Sequence, residues 1–187
     1  MDTQSERHII NQIKEGDSDA FKLMVERHKD ASLSLAISIL KDQDLAEDVL
    51  QDVFITVFQK IETFNFKSKF ATWLYRIVVN TSYNQLKKIK KGVDIEEITI
   101  VPEKLITHEE MLKEENQKRF INLALLRMNA DEALTLRLFY LSEMSIKEIS
   151  KITGFKTSKI KVCLHRGRNN LDFQLRQLLG NELNDLL

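Results

Sequence analysis

The stretch Asp44–Lys88 reads DLAEDVLQDVFITVFQKIETFNFKSKFATWLYRIVVNTSYNQLKK. Its spacing predicts two amphipathic helices joined by a short aromatic and basic loop. In the first helix Val49, Val53, Val57 and Ile61 recur every four residues, and Leu50, Phe54 and Phe58 widen that apolar stripe. Asp44, Glu47, Asp48, Gln51 and Asp52 fall on the other face. Asp44 with Glu47 three residues later has the form of a capping box. The loop carries Phe64, Phe66, Lys67 and Lys69. In the second helix Phe70, Leu74, Ile77, Val78 and Thr81 make the inward stripe. Lys69, Arg76, Asn80, Tyr83 and Lys87 follow at steps of three or four on the outward one. Trp73 lies on the border, where core packing is the favoured reading over stacking on a base. One helix thus presents acids and the next presents cations, an amide and an aromatic. That pairing suits a protein contact on one side and a nucleic-acid contact on the other.

The rest of the chain fits around this pair. With 187 residues, 43% hydrophobic and 30% charged, the chain has the balance of a folded protein of one large or two small domains. Five glycines and one proline predict mostly helix. The polar N-terminus does not resemble a signal peptide. No apolar run approaches the ~20 residues that cross a bilayer, so no direct membrane insertion is expected. The single Cys163 excludes an internal disulfide and fits a cytoplasmic location. A formal net charge of zero hides a segregation. Lys60–Lys91 holds eight basic residues and one acidic, Gly92–Asn116 eight acidic and two basic, and Ile149–Leu171 six basic and none acidic. Two basic blocks flanking an acidic one point to nucleic acid.

Residues 8–91 read as three or four helices, with Gly16-Asp17-Ser18 as a break and cap before a helix over 19–40. Gly92 ends the second helix of the pair. The segment 92–109, acidic and holding Pro102, reads as a linker. A second helical domain, 110–187, follows, with helices expected over 110–126 and 130–140. Then comes SIKEISKITGFKTSKIKVCLHRGRNNL, residues 145–171. Ser145 and Glu148 form a second capping box, Ser150 is a small residue four before Gly154, and Ile160, Leu164, Gly167 and Leu171 line one side of the next helix. These offsets describe a helix-turn-helix whose second helix exposes Lys156, Lys159, Lys161, His165, Arg166 and Arg168.

AEDVLQDVF at 46–54 followed by FATWLYRIVVN at 70–80 resembles the second conserved region of bacterial sigma factors of the extracytoplasmic-function group. The helix-turn-helix resembles the fourth conserved region of that group. The resemblance implies an all-α protein of two helical domains, 1–91 and 110–187, that binds core RNA polymerase and promoter DNA and is restrained by an anti-sigma protein. It implies that Asp44, Glu47, Asp48, Gln51 and Asp52 dock on polymerase. It implies that Phe64, Phe66, Lys67, Arg76, Asn80, Tyr83 and Lys87 meet the −10 element, Asn80 through an amide that both donates and accepts. It assigns Lys156, Thr157, Ser158, Lys161, Val162, His165 and Arg166 to the −35 element in the major groove. The chain departs from the family pattern twice. Lys156 stands where the family usually caps the recognition helix with Ser, leaving Thr157 or Ser158 to cap, and Cys163 stands where the family often has Arg.

An enzymatic role is not expected. His8, His28, His108 and His165 are scattered, one cysteine builds no zinc site, and no phosphate-binding glycine loop or nucleophile elbow occurs. No metal or other cofactor is implied. The alternative reading is a helix-turn-helix regulator that binds duplex DNA as a homodimer, which leaves residues 44–88 without a role.

Overall fold

Several helix starts fall where a side chain satisfies a free N–H group of the first turn, at Asp17, Asp42, Asn129 and Ser145. The computed structural model describes residues 3–92 and 114–180, as helices joined by short turns, with no strand among the described residues. α1 spans Thr3–Lys14 and α2 spans Ser18–Leu40. The Asp17 carboxylate caps α2 by accepting the N–H groups of Asp19 and Ala20 at 2.9 and 3.0 Å. α2 stops at Lys41, which turns left-handed at φ 59° and returns its N–H to the Ile37 carbonyl. That turn sets up α3, Gln43–Lys60. Asp42, extended at φ −139° and ψ 128°, accepts the Leu45 N–H at 2.9 Å. The cap is therefore Asp42 and not Asp44, which lies inside the helix where its own backbone is helical. Glu47 accepts from the Gln43 side-chain amide at 3.0 Å instead of closing a capping box.

A 3₁₀ turn over Ile61–Thr63 leads to the aromatic loop and α4, Phe70–Gly92. α5 spans Glu114–Arg127 and α6 spans Ala130–Leu136. α6 runs without a break into a π-helical turn, Arg137–Leu141, where a regular helix to residue 140 is expected from the sequence. α7, Ile146–Thr153, begins with the expected capping box: Ser145 Oγ accepts from Glu148 N and a Glu148 oxygen accepts from Ser145 N. Gly154 closes it at φ 73°, a conformation that favours glycine. α8 spans Thr157–Leu179. The expected linker at 92–109 and the expected helix start at residue 110 lie outside the described residues, Gly92 excepted.

The valine stripe of α3 is buried as its spacing requires: Val49, Val53 and Val57 are 3%, 0% and 1% exposed. It packs between α2 and α4, and α1 covers the other side of α2. In the second half α5 and α6 pack on α8. Gly167 permits close approach there, because a Cβ would sit 3.2 Å from Leu136 Cγ and Cδ1. The halves also meet. α4 packs on α7 and α2 on α6, and one cluster of buried apolar residues runs from Ile9 to Leu164.

Inside the first half His28 is buried against Phe70 and Tyr75, with ring centroids 5.4 and 6.4 Å apart. Its Nε2 has no hydrogen-bond partner. Burial first, and Arg27 second, hold its pKa down to about 4. The folded state therefore keeps His28 neutral while the unfolded chain takes up a proton below pH ~6.5. Stability from this residue is present above that pH and is lost as pH falls from 6.5 towards 4. Urea unfolding of wild type and His28→Leu across this window should show the difference: wild type loses up to about 3 kcal/mol relative to the variant. Parallel pH curves for the two proteins would refute the assignment.

Candidate functional site

The acidic face of α3 stands clear of the protein. Its inward valines fix the helix rotation, so Asp44, Glu47, Asp48, Gln51 and Asp52 are all exposed. Beside Gln51 the surface turns apolar. Ile55 is 56% exposed and Phe58 is 53% exposed, the latter edge-on to Phe21 of α2 at 5.1 Å. Phe58 thus lies outside the core to which the stripe assigned it. These residues line a groove of about 420 Å³ that Gln51 borders. Ile55 lies four residues after Gln51 and so continues the polar face with an apolar residue, which is the sequence signal for the patch.

The aromatic loop divides its expected DNA contacts. Phe64 is 2% exposed and sits in the core against Phe66, Phe70 and Trp73, at 5.0, 5.6 and 5.4 Å. Its ring cannot meet a base, and an aliphatic-aromatic core explains it fully. Trp73 joins the same ring cluster, 5.7 Å from Phe70. Phe66 is half-buried at φ 59°, with Arg7 4.7 Å and Lys14 5.3 Å from its ring centroid. Lys14 also donates to the Phe64 carbonyl at 2.7 Å, so α1 braces the loop. Lys67 is exposed.

On α4, Arg76, Asn80 and Lys87 are exposed along one stripe, as expected. Tyr83 is not. It is half-buried and its hydroxyl donates to Asp131 Oδ1 of α6 at 2.7 Å. Burial first, and the Asp131 carboxylate second, push the phenol well above its ordinary pKa. The other Asp131 oxygen lies 2.7 Å from Lys159 Nζ, at the start of α8. One carboxylate therefore ties α4 to α6 and α8. A second pair, Lys69 to Glu148 at 3.8 Å, links the loop to α7.

The second helix of the turn motif presents Lys156, Thr157, Ser158, Lys161, Val162, His165 and Arg166, all exposed. Ile160, Cys163, Leu164 and Gly167 face inward. Lys156 occupies the cap position, and no side chain caps this helix, so neither Thr157 nor Ser158 takes that role. Three free first-turn N–H groups on an exposed basic helix favour an anion. Cys163 is 7% exposed, and burial pushes its thiol pKa up. The position where the family often places Arg therefore points into the fold here. Lys159 lies over the Phe155 ring at 3.6 Å, which steadies the turn. Among the described residues no group of three or more His, Cys, Asp or Glu is placed to hold a metal ion, and no helix is long and apolar enough to cross a membrane.

The Sigma-70 region 2 family matches residues 24–92, and the Sigma-70 region 4 family matches residues 121–171. The ECF RNA polymerase sigma factor SigW of Bacillus subtilis is 31% identical over 185 residues, covering 90% of this chain and 96% of SigW. The chain belongs to the extracytoplasmic-function sigma factors. The ECF RNA polymerase sigma-E factor of Escherichia coli K12 is 28% identical, covering 91% of this chain and 94% of its own. The sigma factor RpoE of Bartonella quintana, solved with the anti-sigma factor NepR, is 27% identical with a TM-score of 0.61, covering 87% of this chain and 98% of RpoE. CnrH, solved with the cytosolic domain of CnrY, shares the fold at a TM-score of 0.62 and 20% identity, over 92% of this chain and 97% of CnrH. In this sigma factor the region 2 match ends at Gly92, the last residue of α4, and the region 4 match takes in α6, α7 and most of α8. The homodimeric regulator is not favoured, because residues 24–92 have a family of their own.

The Asp131 junction was invisible in the sequence, because Tyr83, Asp131 and Lys159 lie on three different helices. A hydrogen bond to a charged group contributes about 1.5–3 kcal/mol. A double-mutant cycle of Tyr83→Phe and Asp131→Ala, read by urea unfolding, should give a coupling energy near the lower end of that range. Additive effects of the two substitutions would show that the bond carries no stability.

Proposed function

We propose that this sigma factor docks on core RNA polymerase through the acidic face of α3 and reads promoter DNA with α4 and α8. It binds core RNA polymerase, directs it to promoters and initiates transcription. The observation that carries the residue-level reading is the division of exposed surface on three helices whose inward faces are fixed by the core. Acids on α3, cations with Asn80 on α4 and a basic turn helix each face solvent. The opposite signs match a protein partner on one face and phosphates on the others. The apolar patch at Ile55 and Phe58 extends the acidic face into a surface with a hydrophobic centre and charged rim, the make-up of a protein interface. The domains are a polymerase and −10 unit over 1–91 and a −35 unit over 110–187, joined by the acidic segment 92–109. The chain works as a binding factor and not as an enzyme. As with the Bartonella quintana factor solved with NepR, an anti-sigma protein is its natural restraint, and the chain acts in the cytoplasm where polymerase lies.

Asp48→Arg combined with Gln51→Ala should keep the helical fold and lose core polymerase in a pull-down. Phe58→Ser, at an exposed position, should weaken capture without unfolding the protein. Full capture by the folded double variant would remove this surface from consideration.

Promoter reading should divide between the halves. Lys161→Ala or Arg166→Ala is expected to weaken −35 duplex binding by ~1–3 kcal/mol where the side chain makes a bidentate base contact. Asn80→Ala should leave duplex binding intact and lower transcription from a linear promoter more than from a pre-melted one. Equal losses on both templates would take Asn80 out of the melting step.

A further inference from the structure

Where the two halves meet, α2 and the π-helical turn Arg137–Leu141 enclose a cavity of about 300 Å³. That is the size of a small-ligand pocket. Ser34 and Leu35 of α2 form one wall, and Ile121 of α5 with Leu141 of the turn form the other. Arg137 reaches this cavity from the turn. It is 6% exposed, and its Nε has no hydrogen-bond partner. Short π-helical turns are rare and cluster at functional sites.

The electrostatics around Arg137 are one-sided. Lys41, at the end of α2, gives its ammonium to the Leu125 carbonyl at 3.2 Å. Burial first, and the positive charge of Arg137 second, lower Lys41 to about 8. Burial lowers Arg137 to about 10, with no carboxylate acting against it. Asp30 is the one acidic residue that lines the cavity, and it is exposed at the mouth. A buried guanidinium beside a half-buried ammonium, with no carboxylate paired to either, is unfavourable unless an anion arrives. Water can satisfy the Arg137 Nε–H but brings no charge. A carboxylate does both in one charge-assisted contact. Leu35, Ile121 and Leu141 make an apolar part of a wall that also holds Lys118, Asn122 and Ser142, and that apolar part suits a short hydrocarbon tail.

We propose that this cavity binds a small organic carboxylate, its head on the Arg137 guanidinium and its tail against Leu35, Ile121 and Leu141. Because the walls come from both halves, the ligand fastens region 2 to region 4. Its effect on promoters rests on the reading above, whereas the binding itself does not.

The test is calorimetric titration of the full chain with hexanoate, with hexanol as the uncharged probe. Wild type should bind hexanoate saturably. Arg137→Met, which removes an unpaired buried charge without changing the fold, should bind at least about tenfold more weakly, the loss of one charged hydrogen bond. Asn122→Trp, at an exposed position on the cavity wall, leaves Arg137 in place and should block entry, so the test does not depend on one variant folding. No saturable heat in wild type overturns the site. So does equal binding of hexanol, or unchanged affinity in both variants. The second arm measures −35 duplex affinity with and without saturating hexanoate. Reduced affinity supports the fastening. Hexanoate binding with unaltered duplex affinity keeps the site and overturns the coupling, and it leaves the polymerase and promoter reading to its own variants.

Discussion

The rotation of α3 about its own axis is the constraint from which the functional surface follows. Val49, Val53 and Val57 can be buried only on one side, and burying them between α2 and α4 leaves Asp48, Gln51 and Asp52 pointing outward. Full burial of each aliphatic side chain contributes about 1.5–3 kcal/mol, whereas an exposed carboxylate contributes little to stability either way. The core term therefore fixes the rotation, and the acidic face is left available to a partner without weakening the fold. The same division holds on α4, where Phe70, Leu74 and Val78 are buried and Arg76 and Asn80 are exposed. It holds again on α8, where Ile160 and Leu164 are buried beneath Lys161, Val162 and Arg166.

What the sequence could reveal was whatever depends on neighbours within one helix. The buried valines of α3, Phe70, Leu74 and Val78 of α4, Ile160 and Leu164 of α8, the Ser145–Glu148 capping box and the left-handed Gly154 are local, and each is found in place. What it could not reveal depends on residues far apart in the chain. Phe64 has the composition of a loop aromatic ready for DNA, and only the packing of Phe70 and Trp73 around it shows a core residue. Tyr83 lies on the expected outward stripe, yet α6 arrives from beyond residue 130 and covers it. The start of α3 falls at Asp42 instead of Asp44 for a subtler reason. Asp42 and Asp44 are both capping residues, and the choice between them is made by Lys41 turning left-handed, which no capping pattern encodes.

The seam between the halves differs from the core of either one in its polar content. Tyr83 meets Asp131, Lys41 meets the Leu125 carbonyl, Lys69 approaches Glu148, and Arg137 is buried close by. Apolar contact is present too, since Met144 is buried with Thr72 Oγ1 4.0 Å from its sulfur. Seams of this mixed kind resemble transient protein interfaces and part more readily than a continuous aliphatic core. Buried charge at such a seam also makes it responsive, because any ligand that adds or removes a partner for that charge changes the balance between joined and parted halves.

This arrangement gives Asp131 a second meaning. Its two oxygens hold Tyr83, which the proposed reading assigns to the −10 set, and Lys159, at the start of α8. For the Tyr83 hydroxyl to meet a nucleotide it must leave Asp131, and for Lys159 to meet a phosphate it must leave the same carboxylate. The second step is offset by what DNA offers, since a phosphate replaces the carboxylate as the partner of Lys159. Asp131 thus competes with DNA for one cation and occupies one phenol while the halves are joined. Asn80, Arg76, Lys161 and Arg166 are exposed in the same arrangement. The joined form therefore leaves most of the residues proposed to face DNA accessible, and what it fixes is chiefly the relative placement of α4 and α8.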